Sequence, residues 1–534
     1  MSEGSWDYII VGGGSAGCVL ANRLSSNSSH NVLLLDAGVN DRSPSLRIPA
    51  GMMAALSSKK HNWFYPSAPD STRRNGQVDK WSGGKAIGGS SAINGMFYIR
   101  GHASDYDNWA SLGCEGWDYQ SVLPYFKSIE SFEGGSDEYR NSDGPQSVMF
   151  ERNRFDVVEN FMNAAKGCGH EFNPDYNAKH QTGVSYAQLS QKNGHRHSTA
   201  RAFLDPVRSR KNLKIIMGAQ VKQVLIQDNK AVGVSYRKSG RDYTVNANGE
   251  IILSAGMVGT PKILMYSGIG PGDILSAHDI GLVYDSPEVG QNLTEHPAIY
   301  QKANITEKSL NSSAHPLRAP FVLLDWLLRG RGAATAAAVA AQVLCRTDEN
   351  LPAPDIQIFF QPSIFSYDVG DKTVDMGLQD GIAVSTVLLH PTSRGEVKIT
   401  SPDPLSTPQI VHKLLDTDDD KSRMMLGMRK VADILSNPEL SKIITSLDQE
   451  LYPSSSDEAY AEFLRSEAFR GEHGVGTCRM GSDDKAVVDP QLKVRGIDGL
   501  RVVDASIMPK IVSGNTNAPT IMIGEKASAM ILGR

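Results

Sequence analysis

The apolar positions of this chain come in short runs, and the residues around each run say which element it builds. Near the amino terminus Tyr8 to Val11 is a block of four β-favouring residues, the length of a buried strand. Gly12-x-Gly14-x-x-Gly17 follows, then an Ala/Leu/Arg pattern compatible with a helix. A second apolar run, NVLLLDAG, carries Asp36 and Ala37, with Asp36 placed 19 residues after Gly17. Strand, glycine turn, helix, strand and acid in this order predict a βαβ unit that holds a dinucleotide. In such a unit Gly12 makes the tight turn and Gly14 lets pyrophosphate approach the backbone. Gly17 lets helix and strand pack, and Asp36 accepts hydrogen bonds from ribose hydroxyls. The motif alone leaves FAD and a nicotinamide cofactor both open.

Further along, Asn212 to Tyr236 alternates apolar and polar residues and breaks at DNK, which predicts a β-hairpin or meander. EIILSAGMVGTPKIL returns the chain to the cofactor sheet, with Ala255 and Gly256 at the strand end. LRVVDAS is a final buried strand, and Asp504 and Ala505 lie at its carboxyl edge, where open α/β sheets bind ligands. Between these blocks DIQIFFQP and GIAVSTVLLHP read as strands and DDDKSRMMLGMRKVADIL as a helix. The fold class is therefore α/β (α+β overall): a Rossmann-like dinucleotide-binding domain with an inserted substrate domain built on an antiparallel sheet with helices. The expected division assigns 1–155, 210–310 and 460–534 to the first domain and 156–209 and 311–459 to the second.

Composition narrows the partners. Of 534 residues 40% are hydrophobic and 21% charged, and the net charge is −5 with no basic run, which excludes nucleic acid as a partner. The five cysteines are far apart and odd in number, without metal-ligand spacing or a disulfide framework; no metal is expected. HRHS (His195 to Ser198) lacks carboxylate or cysteine company and reads as structural. No basic and apolar leader opens the sequence, so a cytoplasmic location is expected. The alanine-rich run from Ala333 to Cys345 is too short to cross a bilayer; its alanine cluster near residue 335, with RGRG before it, is expected to form a mobile loop over a pocket entrance. PFVLLDWLLRGRG is an amphipathic helix, expected to pack on its own core, with peripheral contact to a membrane left as the alternative.

Two stretches are too glycine-rich for regular structure. GGKAIGGSSAING offers Ser90, Ser91 and Asn94 as hydrogen-bond groups on a backbone that can lie against an extended cofactor. GEHGVGTCRMG sets His473 among glycines. Together with GTPKILMYSGIG, VGQNLTEHP and the carboxyl-terminal VVDAS…SGNTNAPT, these segments resemble the glucose–methanol–choline family of flavin oxidoreductases. The likeness is nearest its bacterial choline-dehydrogenase and alcohol-dehydrogenase branch, with the motifs in family order from residue 7 to residue 531.

The resemblance implies FAD as the cofactor. It puts Gly12, Gly14, Ser15, Gly17, Asp36, Ala37, Gly84, Gly88, Gly89, Ser90, Asn94 and Gly95 on it. Val221 lies beside the adenine, Ala255, Gly256, Asp504 and Ala505 along the pyrophosphate and ribityl chain, and Thr516 and Asn517 near the flavin. Some relatives attach FAD through a histidine where Ala92 stands here, so binding is expected to be non-covalent. His102 is expected to be structural. His473 and Asn515 are the implied catalytic pair: His473 takes the proton of a substrate hydroxyl, a role suited to an imidazole of unperturbed pKa about 6.5, and Asn515 donates to the substrate oxygen.

The implied reaction is oxidation of an alcohol, most simply a primary one, to the aldehyde. Reoxidation falls to a quinone or other acceptor, with an oxidase releasing hydrogen peroxide and a hydroxynitrile-lyase-like enzyme as alternatives. Four departures stand out: Met257 for a small residue, Thr260 for serine, Gly474 for proline, and Glu472 for an aromatic residue. Glu472 is expected to point outward, and His390 to line the substrate side. Monomer and dimer both remain open.

Overall fold

In the computed structural model, residues 5–153, 155–313, 317–368, 373–375, 377 and 379–534 are described. Two large sheets organise them. The first is seven-stranded, in the order Leu213–Met217, Val32–Asp36, Ser5–Val11, Arg241–Leu253, Lys230–Lys238, Gln220–Gln227, with Leu500–Val502 also paired to Arg241–Leu253. Its left half is parallel, and the register aligns Val11 with both Leu35 and Leu253, and Leu253 with Val502. The carboxyl ends of those strands therefore finish at one edge, so that Gly12, Asp36, Ser254 and Asp504 follow side by side. The predicted hairpin lies between Gln220 and Lys238. It turns at Asp228 and Asn229, both with positive φ, as a tight two-residue hairpin turn requires. Leu213–Met217, read from sequence as part of that meander, is instead a parallel strand beside Val32–Asp36.

Helices Ser15–Leu24 and Asn517–Leu532 pack against one another. A Cβ at Gly524 would sit 2.9 Å from the Ala16 backbone, so only glycine lets the two helices approach this closely.

The second sheet is antiparallel: Ile444–Leu447, Pro297–Ile305, Gly381–Leu388, Ile356–Gln361, Ala341–Cys345, Gly183–Tyr186, with Phe469–Arg470 added at Pro297. Its period-2 pattern divides two environments. Ile299, Ile358, Phe360, Ile382 and Val384 face helices Asp156–Gly167 and Asp418–Ser436, with Phe161 stacked on Phe360 at 4.4 Å. Ala298, Tyr300, Phe359, Ser385 and Val387 face a cavity on the opposite side.

Three expectations change. Strands Pro297–Ile305 and Phe469–Arg470, assigned to the cofactor blocks from sequence, belong to the second sheet, because their hydrogen-bond partners are there. The alanine cluster near residue 335 is irregular, a 3-10 turn at Ala333–Thr335 followed by residues without regular structure, but it is buried, and Ala338 and Val339 line the cavity before the interior strand Ala341–Cys345 begins. The amphipathic helix Ala319–Arg329 does not bury its apolar face, since Phe321, Leu324, Leu327 and Leu328 are all exposed. No helix among the described residues is long and apolar enough to cross a membrane.

Candidate active site

The carboxyl edge of the first sheet faces the bare side of the second across one cavity of about 710 Å³, within the size range of small-molecule and cofactor sites. Three helices of at least ten residues point their amino termini into it, at Ser15, Gly256 and Asn517. In none does the residue before the helix cap it with its side chain; Gly256 N is taken by Asp504, and the remaining N–H groups and positive dipole ends are available to anionic phosphates. Ser15 Oγ donates to Asn517 Oδ1 at 2.7 Å and ties two of these termini together.

The glycines test whether a cofactor fits. Among the described residues, a Cβ at Gly256 would meet nothing within 4 Å, at Gly14 only Ser254 O at 3.8 Å, and at Gly95 only Met52 Sδ at 4.0 Å. Where side chains would point, the wall is open, as a bound dinucleotide needs. Gly12, Gly84, Gly89, Ser90, Asn94, Val221, Ala255, Ala505 and Thr516 complete the lining together with Ala37. The residues present fit FAD.

Two expected contacts act behind the wall instead. A Cβ at Gly17 would lie 1.9 Å from Gly12 O, so Gly17 serves helix–strand packing alone. Gly88 has φ +95° and donates its N–H to Gly13 O at 2.7 Å, fixing the next loop from behind. Ala92 is also buried away from the cavity, and Ile93 lines it instead.

The acids are less free than expected. Asp36 accepts from Gly13 N at 2.8 Å and Gly38 N at 2.7 Å. Burial still pushes its carboxyl above the usual range, against those two amides. Asp504 accepts from Gly256 N at 2.9 Å, Thr260 Oγ1 at 2.6 Å and Ser506 N at 2.8 Å. Thr260, where the family has serine, thus anchors the acid that orders the turn.

His473 is buried at the cavity wall with Asn515, and Asn515 Nδ2 lies 2.7 Å from His473 Nε2. Behind it stands His296, in the segment TEHP, for which the sequence alone indicates no role; its Nδ1 is 3.0 Å from His473 Nδ1. His296 Nε2 is 3.0 Å from the Leu389 carbonyl, which can only accept, so Nε2 carries the proton and Nδ1 is a lone pair. His473 must then donate from Nδ1, which leaves its Nε2 as an acceptor for the Asn515 amide. One backbone carbonyl thereby sets the tautomer of both rings. Burial holds His473 down to about 4 and His296 well below the usual histidine value, so both rings are neutral near pH 7. Glu295 accepts from the His473 backbone N–H at 2.8 Å and from His296 N at 2.8 Å. Burial, with Glu472 nearby, pushes its carboxyl up to about 8.

Both Glu472 and His390 depart from expectation. Glu472 sits at the cavity rim, 37% exposed and neither wholly outward nor free, because Arg470 Nη2 donates to it at 2.9 Å. His390 is absent from the lining; its Nε2 is 2.9 Å from Ser513 Oγ, two residues before Asn515. The glycines around His473 answer to protein neighbours more than to a ring. A Cβ at Gly471 would lie 3.0 Å from His473 Nδ1, and one at Gly476 2.6 Å from Asn292 O. At Gly474 it would lie 2.9 Å from Met257 Cε, so two of the family departures fill one another's space.

His102 caps helix Ala103–Ser111, and His195 packs on Trp326 at 4.8 Å; both are structural. No group of three or more His, Cys, Asp or Glu that could hold a metal occurs among the described residues.

Family models described as GMC oxidoreductase match residues 6–298 and 391–524. The chain belongs to the GMC oxidoreductase family. It is an FAD-dependent oxidoreductase acting on CH–OH donors. Among GMC relatives it is 38% identical to the mitochondrial choline dehydrogenase of Mus musculus, over 100% of this chain and 90% of that one. It is 39% identical to an alcohol dehydrogenase [acceptor] of Pseudomonas putida, over 99% and 96%. Among solved GMC folds, pyridoxine 4-oxidase from Mesorbium loti superposes with a TM-score of 0.89 at 28% identity, covering 99% of this chain and 100% of that one. Formate oxidase from Aspergillus oryzae does so at 0.91 and 26%, over 100% and 99%.

Proposed function

We propose that the protein oxidises a neutral, largely apolar primary alcohol to its aldehyde, with His473 as the base and Asn515 as the donor to the substrate oxygen. The observation that carries this reading is the fixed tautomer of His473, whose unprotonated Nε2 opens on the cavity beside a carboxamide. FAD held without a covalent link along the glycine-lined wall would supply the two-electron acceptor for the hydrogen leaving the carbinol carbon. Segment 83–95 contains no histidine, cysteine or tyrosine, which supports the non-covalent link. The hydroxyl of the substrate competes with the Asn515 amide for Nε2; once the hydroxyl is seated, that amide turns its N–H toward the substrate oxygen. The oxygen gains negative charge as its proton passes to Nε2, and a donor aimed there stabilises the transition state by roughly 3–4 kcal/mol.

The wall opposite, with Phe97, Val339, Phe359, Val387 and Phe469, suits an apolar or aromatic chain. Neither acid beside His473 offers a free negative charge, since Glu472 is paired with Arg470 and the Glu295 carboxyl is pushed up to about 8 by burial, which disfavours a quaternary ammonium. Reoxidation by a quinone or other acceptor accords with the designation of the Pseudomonas putida relative.

Anaerobic mixing of the yellow protein with a panel of alcohols tests this. Aromatic and medium-chain primary alcohols should bleach the flavin, and choline should bleach it far more slowly. Product without bleaching would instead mark a lyase, and faster bleaching by choline would overturn the apolar assignment.

His296 is a positioning residue in this scheme. His296→Ala should retain FAD and leave KM nearly unchanged. It should lower kcat by about 10- to 100-fold, since His473 is then free to adopt the wrong tautomer. The pH profile separates this from general loosening: the acid limb of kcat/KM should move in the variant, whereas a merely structural residue would leave it in place.

A further inference from the structure

Helix Ala319–Arg329 has an unusual distribution of apolar side chains. Trp326 is its anchor, 9% exposed, with Nε1 donating to Gly194 O at 2.8 Å and the ring against His195. On the outer side Phe321 is 73%, Leu324 52%, Leu327 64% and Leu328 73% exposed. They lie at i, i+3, i+6 and i+7, one continuous face. Isolated exposed leucines need no explanation, but a contiguous apolar face marks a binding surface.

Charge and size decide what covers it. Arg318, Arg329 and Arg331 flank the helix, and the last two side chains are 62% and 67% exposed. The only acid within the helix is Asp325, which faces Arg329 at 3.1 Å. Excess local positive charge on a protein of net charge −5, bracketing an apolar face, is the pattern of a helix lying in a bilayer interface with anionic headgroups. A second copy of the chain fits less well, because four side chains on one convex helix fall far short of the roughly 20–30 residues a side of a stable interface.

The helix also roofs a chamber. Val322 and Leu323, the latter still 43% exposed, line a second, apolar cavity of about 300 Å³. That cavity shares Met52, Met53, Ala338 and Phe365 with the walls of the catalytic cavity. The exposed apolar face, the chamber and the site of His473 are thus consecutive.

We propose that this helix seats the enzyme on a lipid bilayer bearing anionic headgroups. The chamber beneath it then admits a bilayer-partitioned reactant, alcohol or acceptor, to the catalytic cavity. Admission of a reactant rests on the alcohol-oxidation reading above; the seating itself does not.

Flotation of the full-length, FAD-loaded protein tests the seating. Vesicles of phosphatidylcholine with an equal part of phosphatidylglycerol should carry the protein upward. Pure phosphatidylcholine, or the mixed vesicles at high salt, should carry several-fold less. The triple variant Phe321→Ser, Leu324→Ser, Leu328→Ser should float about tenfold less or worse, and Arg329→Glu with Arg331→Glu should lose the preference for anionic vesicles. Both variants should keep their flavin absorbance and their turnover of a water-soluble alcohol with a soluble dye acceptor. In the triple variant, turnover with a long-chain quinone supplied in the vesicles should fall by the same factor as flotation.

Wild-type protein that stays at the bottom of the gradient, or a triple variant that floats equally well, overturns the proposal. So does a wild-type dimer that the triple variant converts to monomer without any vesicle binding, which would give the face to a second copy. Failure of every alcohol to bleach the flavin would sink the alcohol reading and leave the flotation result standing.

Discussion

Replacing His473 by alanine is expected to lower kcat/KM for alcohols by about 100- to 10,000-fold while the purified protein stays yellow. The loss follows from the tautomer. Nε2 is the only lone pair of the His473–Asn515 pair able to take and hold a proton, because a carboxamide nitrogen has none to offer. The His473 side chain is buried, and its neighbours there are Asn515, His296 and Glu295. Its removal therefore takes away a proton acceptor while leaving Asn515 and the flavin-lining glycines in place.

Wild-type kcat/KM should be flat above about pH 5 and fall as pH drops toward the His473 value of about 4. The sign is that of a base that must be neutral to work: below its own pKa Nε2 is already protonated. The alanine variant should lack this limb. Stopped-flow bleaching across pH measures both effects, and a variant within tenfold of wild type would remove His473 from the chemistry.

The second large effect is expected at Gly14. Gly14→Val should give a folded, colourless protein whose affinity for FAD is at least about a hundredfold weaker, some 2.7 kcal/mol. The backbone there has φ −80°, which any residue adopts, and the nearest atom to a new Cβ is 3.8 Å away. The protein itself tolerates the branch; only a ligand lying against the turn is displaced. Gly12→Ala would make a poorer test, since φ is +101° and the Cβ would strike Ser254 O at 2.4 Å, so folding would fail with binding. Flavin fluorescence titration reports affinity, and a thermal melt of apo wild type beside apo variant reports folding. A yellow Gly14→Val protein would mean that no cofactor occupies this turn.

Local sequence carried the first sheet well, because strand, turn and helix there are contiguous and each glycine has a nearby partner. Val11, Gly12 and Asp36 could be placed from spacing alone. What the sequence concealed depends on contacts between distant segments. Pro297–Ile305 reads as an alternating strand, but nothing in it says which sheet it joins; Gly381–Leu388, some 80 residues on, decides that. His296 escaped a role for the same reason, since its meaning comes from the Leu389 carbonyl and from His473, 177 positions away. The acids misled in another way: a carboxylate at a strand end is equally suited to a ribose or to a neighbouring turn, and Asp504 is engaged by the turn. The helix Ala319–Arg329 was misjudged because amphipathicity gives the width of an apolar face and not what lies against it.

The contact between Met257 and Gly474 restricts how this enzyme can diverge. A proline or any larger residue at 474 obliges the flexible end of Met257 to swing aside, with the Trp81 ring 3.3 Å from the new Cβ, and shortening the methionine first opens a void beside the redox centre. A lineage moving between this pairing and a small residue opposite proline passes through an intermediate in which that corner is either repacked or left partly empty. Engineers wishing to reshape that corner should vary both codons in one library.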